Sequence, residues 1–513
     1  MNFVHTSMFH RNEYKVSTTK FSQKDKPLRS CLYFFQAYPI MATSKFETLC
    51  IILLGLGQMC IMTGYDSQSF VQESVIYSIS DRHPTLINHL AGYYGQAVIY
   101  ASFMITCIFA PALVFAITSK WALFLSAVCF TIFETVYLYL NNYTYYTACL
   151  IVGFGLGIYY TAGGAYLASH STRRTIEKNS AYSWSLMCLC LFIGSVILAI
   201  IIGYYAGKQQ HTNFVDNLSV NPKHRTFNDK EIRCMYAAFA AISMGGTILF
   251  ALLPKRSVDD CIEDKRDMVT TSFTGRLGVT FETFTDKRML MLAPLFLYSG
   301  LFTPFWVTVY PTSLLFTHTL DGSLYLPAFY SLAVGSGEVL MGTFVGAMSR
   351  RIKNFGLKPT MYIGTTLSII ALAIITASVP KTATYEPTSE DAWLLRPSLP
   401  LAIATAILLG LVDSCMNNVK TVMCALAMPG CRTHAFAVSR FYQGSSGTIV
   451  LFLSPYMSIY CYTALFGFTL LLTLFTFLRV VKQILRTEKD SQRCGQSTKE
   501  KDVERDFKKE FEH

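Results

Sequence analysis

The chain is short of charge. Of its 513 residues, 15% are Asp, Glu, Lys or Arg, against about 25% in an ordinary soluble domain. That deficit excludes an ordinary soluble enzyme, a solvated disordered chain and a nucleic-acid binder. Metal-type spacing is also missing. None of the fifteen cysteines forms a C-x-x-C pair, and Cys60, Cys107, Cys129, Cys149, Cys188, Cys190 and Cys424 sit singly inside apolar runs. They read as small packing residues, not as a disulfide framework or a metal site. No cofactor motif takes their place. Gly153, Gly155 and Gly157 are spaced like a nucleotide loop, but such a loop needs a strand before it and a helix after it. Here they lie inside one apolar run, where close helix packing explains them. No secretory leader is expected at the start of the sequence, because residues 1–45 are polar and basic.

What the chain has instead is apolar length. Hydrophobic residues make up 52% of it, and its mean hydropathy is +0.36. A membrane-spanning helix takes roughly 20 apolar residues. Twelve such segments are predicted, at 46–66, 93–116, 121–140, 145–169, 181–205, 233–254, 289–311, 326–348, 359–379, 397–417, 434–453 and 459–480. The uncharged run from Phe441 to Leu478 is too long for one helix and is divided at Ser454-Pro455, since proline ends or kinks a helix. Tyr93, Tyr94, Trp121, Tyr143, Tyr145 and Tyr146 gather at expected span ends, as interfacial aromatic belts do.

Basic residues collect on the cytoplasmic side of membrane proteins. With the N-terminus inside, 34 of the 43 Lys and Arg residues fall on that side and eight outside, with Arg440 within a span. Both termini are therefore expected in the cytoplasm. The organisation expected is a basic tail (1–45), a six-helix bundle (46–254), a charged cytoplasmic linker (255–288), a second six-helix bundle (289–481) and a charged tail (482–513). That is an all-α membrane protein on the plan of the major facilitator fold, with its cavity between the halves at mid-membrane.

Several stretches carry a more specific likeness. Span 4 and its loop read Tyr146-Thr-Ala-Cys-Leu-Ile-Val-Gly-Phe-Gly-Leu-Gly157, then Tyr160-Thr-Ala-Gly-Gly-Ala-Tyr-Leu167. Span 7 opens with Asp286-Lys-Arg-Met-Leu-Met-Leu-Ala-Pro294. Later spans carry Gly335-Ser-Gly-Glu338, Leu408-Leu-Gly-Leu-Val-Asp-Ser-Cys-Met-Asn417 and Ala435-Phe-Ala-Val-Ser-Arg-Phe-Tyr-Gln443. Together these resemble the unc-ninety-three-like, or ion-channel regulatory protein, family of the major facilitator superfamily, over about residues 46 to 480. Two positions depart from the family pattern: Gly163 stands where glutamine is usual, and Arg440 where lysine is usual. The resemblance implies a non-enzymatic protein that regulates or escorts another membrane protein, such as a potassium-channel subunit or a receptor. The two-half plan and the acids inside spans support an alternative, a proton- or cation-coupled secondary transporter of a small solute.

A charge in the bilayer interior marks a functional site by default. Glu134, Glu338, Asp413 and Arg440 fall inside spans and are the candidates for a central cavity or a polar clasp between helices. Asp413 and Arg440, on adjacent spans, are expected to pair. Asp66, at the outer end of span 1, is expected to reach water.

Two N-x-S/T sequons fall in predicted outer loops, Asn142-Tyr-Thr and Asn217-Leu-Ser. Asn142 lies hard against the membrane, whereas Asn217 sits midway along the longest outer loop. Asn217 is therefore expected to carry a glycan and Asn142 none. Glycosidase treatment should shift the wild type and leave Asn217→Gln unshifted; a persisting shift would refute the assignment.

Overall fold

The computed structural model describes residues 43–87, 91–216, 227–257, 261, 272–320, 323, 325–384, 388–428 and 430–510. Two units emerge, Met1–Phe46 and Glu47–His513, and the second holds the site. Among the described residues the chain is helical, its one β-type pairing an isolated bridge between Thr317 and Thr388. Backbone polar groups in a bilayer must be satisfied within the segment that carries them.

The helices are α1 (Thr43–Ser69), α2 (Gln72–Arg82), α3 (Ala91–Val136), α4 (Asn142–Ser169), α5 (Ile176–Asp216), α6 (Asp229–Leu252) and α7 (Phe273–Thr285). There follow α8 (Lys287–Pro304), α9 (Tyr310–Leu315), α10 (Leu326–Arg351), α11 (Lys358–Ser378), α12 (Leu399–Ala427), α13 (Arg432–Leu453) and α14 (Ile459–Glu510). Among the described residues, ten helical stretches are long and apolar enough to cross a membrane.

Two helices need separate accounts. The 46 residues of α3 would run about 69 Å at 1.5 Å each, more than twice the roughly 30 Å of a hydrocarbon core. At Thr118 the backbone turns to φ 73° and ψ 153°, far outside the helical region. So α3 is two helices meeting at Thr118, and the gap expected between the spans 93–116 and 121–140 is reduced to this corner. The 22 residues of α13 fall outside the ten stretches. Buried His434, Ser439, Arg440, Gln443 and Ser446 lower its hydropathy. The break expected at Ser454-Pro455 is a short turn, Ser454–Tyr456, between α13 and α14. Part of the expected 255–288 linker is the helix α7.

The helices before and after that linker meet along two seams. In one, α5 packs on α10 and α12; in the other, α13 packs on α3 and α4. Small residues make the first seam close. A Cβ on Gly335, Gly342 or Gly346 of α10 would press on Leu191, Ser185 or Tyr182 of α5. Near the start of α5 the seam carries polar contacts. Glu177 Oε2 accepts the backbone N–H of Gly356 at 3.0 Å, Arg173 donates to Asn354 Oδ1 at 3.3 Å, and Arg350 donates to the Tyr182 hydroxyl. Asn354 takes a left-handed turn, φ 62°, which asparagine tolerates.

Asn141 caps α4, accepting from Thr144 N at 3.0 Å, so Asn142 is the first residue of the helix and is half-buried. Its amide donates to Leu86 O at 2.8 Å, and the sequon's Thr144 hydroxyl is engaged by the capping residue. Asn217 lies outside the described residues. At the other end of α4, His170 stacks on Tyr166, and its two ring nitrogens meet Tyr166 O and Arg256 O, each at 2.9 Å. Burial lowers its pKa from the usual histidine value. Among the described residues, Cys50, Cys60, Cys107, Cys129, Cys149, Cys188, Cys190, Cys415 and Cys424 are in no disulfide.

In the second half the closest helix pair is α10 with α12. A Cβ on Gly337 would strike the carbonyl of Ile407, and one on Gly410 would strike the carbonyl of Val334. Each glycine gives room to the other helix's backbone. Gly410→Val should overpack this crossing by about 1–3 kcal/mol. It should lower the thermal midpoint of the purified protein in detergent. Gly245→Ala serves as the control, because a Cβ at Gly245 meets nothing within 4 Å; equal midpoints for the two variants would refute the crossing's role.

Candidate functional site

The α10–α12 crossing sets the site. Glu338 directly follows Gly337, and Asp413 lies three residues after Gly410; both acids are 3% exposed. Their carboxyl groups lie close enough to act on each other. Asp413 is held on both oxygens. Its Oδ1 accepts from Trp306 Nε1 at 3.1 Å and its Oδ2 from Asn417 Nδ2 at 2.7 Å. Trp306 lies in the wide helical turn Phe305–Val309 that follows Pro304; such turns insert a residue and re-aim side chains. Tyr330 OH donates to the Trp306 carbonyl at 2.6 Å, tying α10 to that turn.

The first half supplies the facing wall. The Cys188 thiol of α5 lies beside Glu338, and Cys190 Sγ donates to Asp66 Oδ2 at 3.5 Å. Asp66, expected in outer water, is instead turned inward and half-buried, within coulombic reach of Glu338 and Asp413. The acids therefore straddle the α5–α10 seam.

Two turns further along α12 stands a residue that the sequence reading places in a loop. A span ending at residue 417 leaves Lys420 outside; α12 continues to Ala427, and Lys420 is 1% exposed. Its Nζ donates to Ser299 Oγ at 2.8 Å and to Gln443 Oε1 at 3.0 Å. The same Gln443 oxygen accepts from Arg440 at 2.5 Å. The Arg440 guanidinium lies 3.7 Å from the centre of the Tyr160 ring, a cation–π arrangement. The expected Asp413–Arg440 pair is not made. With α12 extended, Asp413 sits at the helix middle among Trp306, Asn417 and Glu338, and Lys420 occupies the level of Arg440. A cavity of about 50 Å³ opens beside Arg440, lined also by Gln58, Tyr160, Ser183, Trp184 and Thr421.

Glu134 stands apart from this group. It is fully buried in the later part of α3, against Gly64 of α1 and beside the Ser243 hydroxyl of α6. A larger apolar hollow of about 310 Å³ lies between α3 and α6, with Thr131, Thr135 and Thr247 as its polar lining. Among the described residues no grouping of His, Cys, Asp and Glu is suited to a metal ion. Lys420, Trp306 and Gln443 are the site residues that sequence reasoning missed. A lone lysine in the apolar run Val419–Leu426 was the available signal for the first.

Comparison with known proteins agrees with this architecture. The xylose symporter XylE, a major facilitator superfamily protein solved with 6-bromo-6-deoxy-D-glucose, superposes with a TM-score of 0.57 at 13% identity, covering 86% of this chain and 97% of XylE. UNC93-like protein MFSD11 of Xenopus tropicalis is 26% identical over 437 residues, covering 82% of this chain and 93% of that protein. UNC93-like protein 3 of Arabidopsis thaliana is 25% identical over 413 residues, covering 77% and 80%. The family profile described as "Ion channel regulatory protein UNC-93" matches residues 83–478, and this chain, an all-helical multi-pass membrane protein of the major facilitator fold, belongs to the UNC-93 family.

Proposed function

We propose that this chain is a proton-coupled carrier of a small solute, not an enzyme, and that the Glu338–Asp413 pair is its proton site. The observation that carries the reading is the placing of two buried carboxyls close enough to act on each other, on the seam between the halves. A buried carboxyl pair exchanges charge by gaining or losing one proton. Rocking of one half against the other around a fixed central site is how carriers of this architecture alternate access. Because Glu338 and Asp413 lie after the linker and Cys188, Cys190 and Asp66 before it, such rocking would remake the partners of the pair. In this reading the chain crosses the membrane twelve times, counting α3 twice and including α13. Residues 46–254 and 289–481 form the two bundles, the tails 1–45 and 482–513 and the linker 255–288 lie in the cytoplasm, and Asn217 faces outward.

A second reading is favoured by the description of the family as ion channel regulatory proteins. In it the chain binds and regulates or escorts another membrane protein, such as a potassium-channel subunit or a receptor. The polar cluster is then a clasp that holds α10, α12 and α8 together. Glu134, by its place between α1, α3 and α6, is proposed as a clasp within the first bundle in either case.

Glu338→Gln separates the two readings. The substitution removes the titrating group and keeps the shape and the hydrogen-bonding atoms. In liposomes loaded with a pH dye and supplied with a mixed extract of small metabolites, the wild type should show solute-dependent acidification. Glu338→Gln should reach normal abundance and lose that signal at least about tenfold, as when an obligatory protonating group is removed. Wild-type liposomes without any solute-dependent proton movement, together with co-purification of a channel or receptor by both proteins, would overturn the carrier reading.

A further inference from the structure

Lys420 and Arg440 are both buried, at 1% and 6% exposure, and neither makes an ion pair among the described residues. Both donate to one neutral oxygen, Gln443 Oε1. That oxygen has two lone pairs, so the two donors saturate it, and it neutralises neither. Two like charges brought to one acceptor repel, and a buried charge without a counter-charge is costly. Asp413, the acid whose charge reaches Lys420, makes no ion pair with it and takes its hydrogen bonds from Trp306 and Asn417. Arg440 therefore has no anion within ion-pairing distance among the described residues.

The adjoining cavity has the complementary chemistry. No carboxylate lines it. Its wall offers the Arg440 guanidinium, of whose five N–H donors only the one to Gln443 has a hydrogen-bond acceptor among the described residues. It also offers the Trp184 indole N–H, which is buried without a partner. The rings of Tyr159, Tyr160, Trp184 and Phe436 form the rest of the lining, with Ser183 and Thr421. Donors at one end and flat apolar surface around them suit a planar organic carboxylate: arginine meets a carboxylate through a two-pronged contact, and aromatic faces take the body.

We propose that Arg440, with Lys420 behind it on the shared Gln443 oxygen, forms the receptor for the carboxylate of a small organic anion, entering through the cavity lined by Tyr160 and Trp184. This names the substrate class of the carrier proposed above, and it rests on that proposal only for transport, not for binding. The acids across the seam would hold the proton while Arg440 holds the anion, so a carboxylate and a proton would cross together with no net charge.

The test uses the full-length protein in nanodiscs, with acetate, lactate and benzoate as probes, each beside its neutral amide, and inorganic phosphate as a further arm. Titration calorimetry should find at least one carboxylate binding at least about tenfold tighter than its amide. Arg440→Gln should weaken that binding about tenfold or more, as expected on loss of a charge-assisted contact. Trp184→Phe, which keeps the ring and loses the N–H, should weaken it about threefold and guards against misfolding of the arginine variant. Binding of none of the three carboxylates, equal binding of acid and amide, or binding of phosphate alone would overturn the proposal. Carboxylate binding without proton-coupled uptake of the same probe would leave the site standing and remove the carrier. Proton-coupled uptake of a neutral solute by a protein that binds no carboxylate would do the reverse.

Discussion

The site depends on how closely α10 and α12 approach. Two acids on different helices act on each other only where the backbones come near enough for short side chains to meet, and a bilayer supplies little hydrophobic force to push them together. Gly337 and Gly410 remove the obstacle, each lying against the backbone of the opposite helix. The acids beside them, Glu338 and Asp413, then have no choice but to meet. From that contact the other placements follow. Asp413 takes Trp306 and Asn417 as donors, Trp306 requires the widened turn after Pro304, and Tyr330 secures that turn from α10.

The polar interior is segregated by sign. Acids gather at the α5–α10 seam, where Asp66, Glu338 and Asp413 face two thiols. The basic pair gathers around Gln443, one level along α12 and α13. Interleaved acids and bases would have formed ion pairs and locked the two halves. Kept apart, each set stays available to something that binds from outside the fold. The membrane context sharpens this, because charges inside it face the bundle interior or a water-filled cavity.

Much of the architecture was legible in the residues. Apolar length and the Ser454-Pro455 break follow from local chemistry that a single chain displays. Residues 146–167, 335–338, 408–417 and 435–443 also carried the family likeness. What was not legible depended on helix ends and on contacts between distant segments. Asn417, Asn418 and Lys420 look like the polar end of a span, yet α12 carries all three inside, because Asp413, Gln443 and Ser299 give two of them polar partners. That extension moved Asp413 to mid-helix and undid the expected contact with Arg440. Asp66 misled for a related reason: its place near a helix end suggested solvent, while the cysteine that faces it comes from α5, 124 positions away.

The polar contacts near the start of α5 have a consequence for kinetics. Glu177 with the Gly356 amide, Arg173 with Asn354, and Arg350 with Tyr182 are few, and two of the three involve exposed or half-exposed arginines. Contacts of this kind contribute about 1 kcal/mol each. Parting of that end would have to break these contacts together with the glycine-lined packing of α5 on α10 behind them, and the asparagine in a left-handed turn and one glutamate set the polar share of that cost.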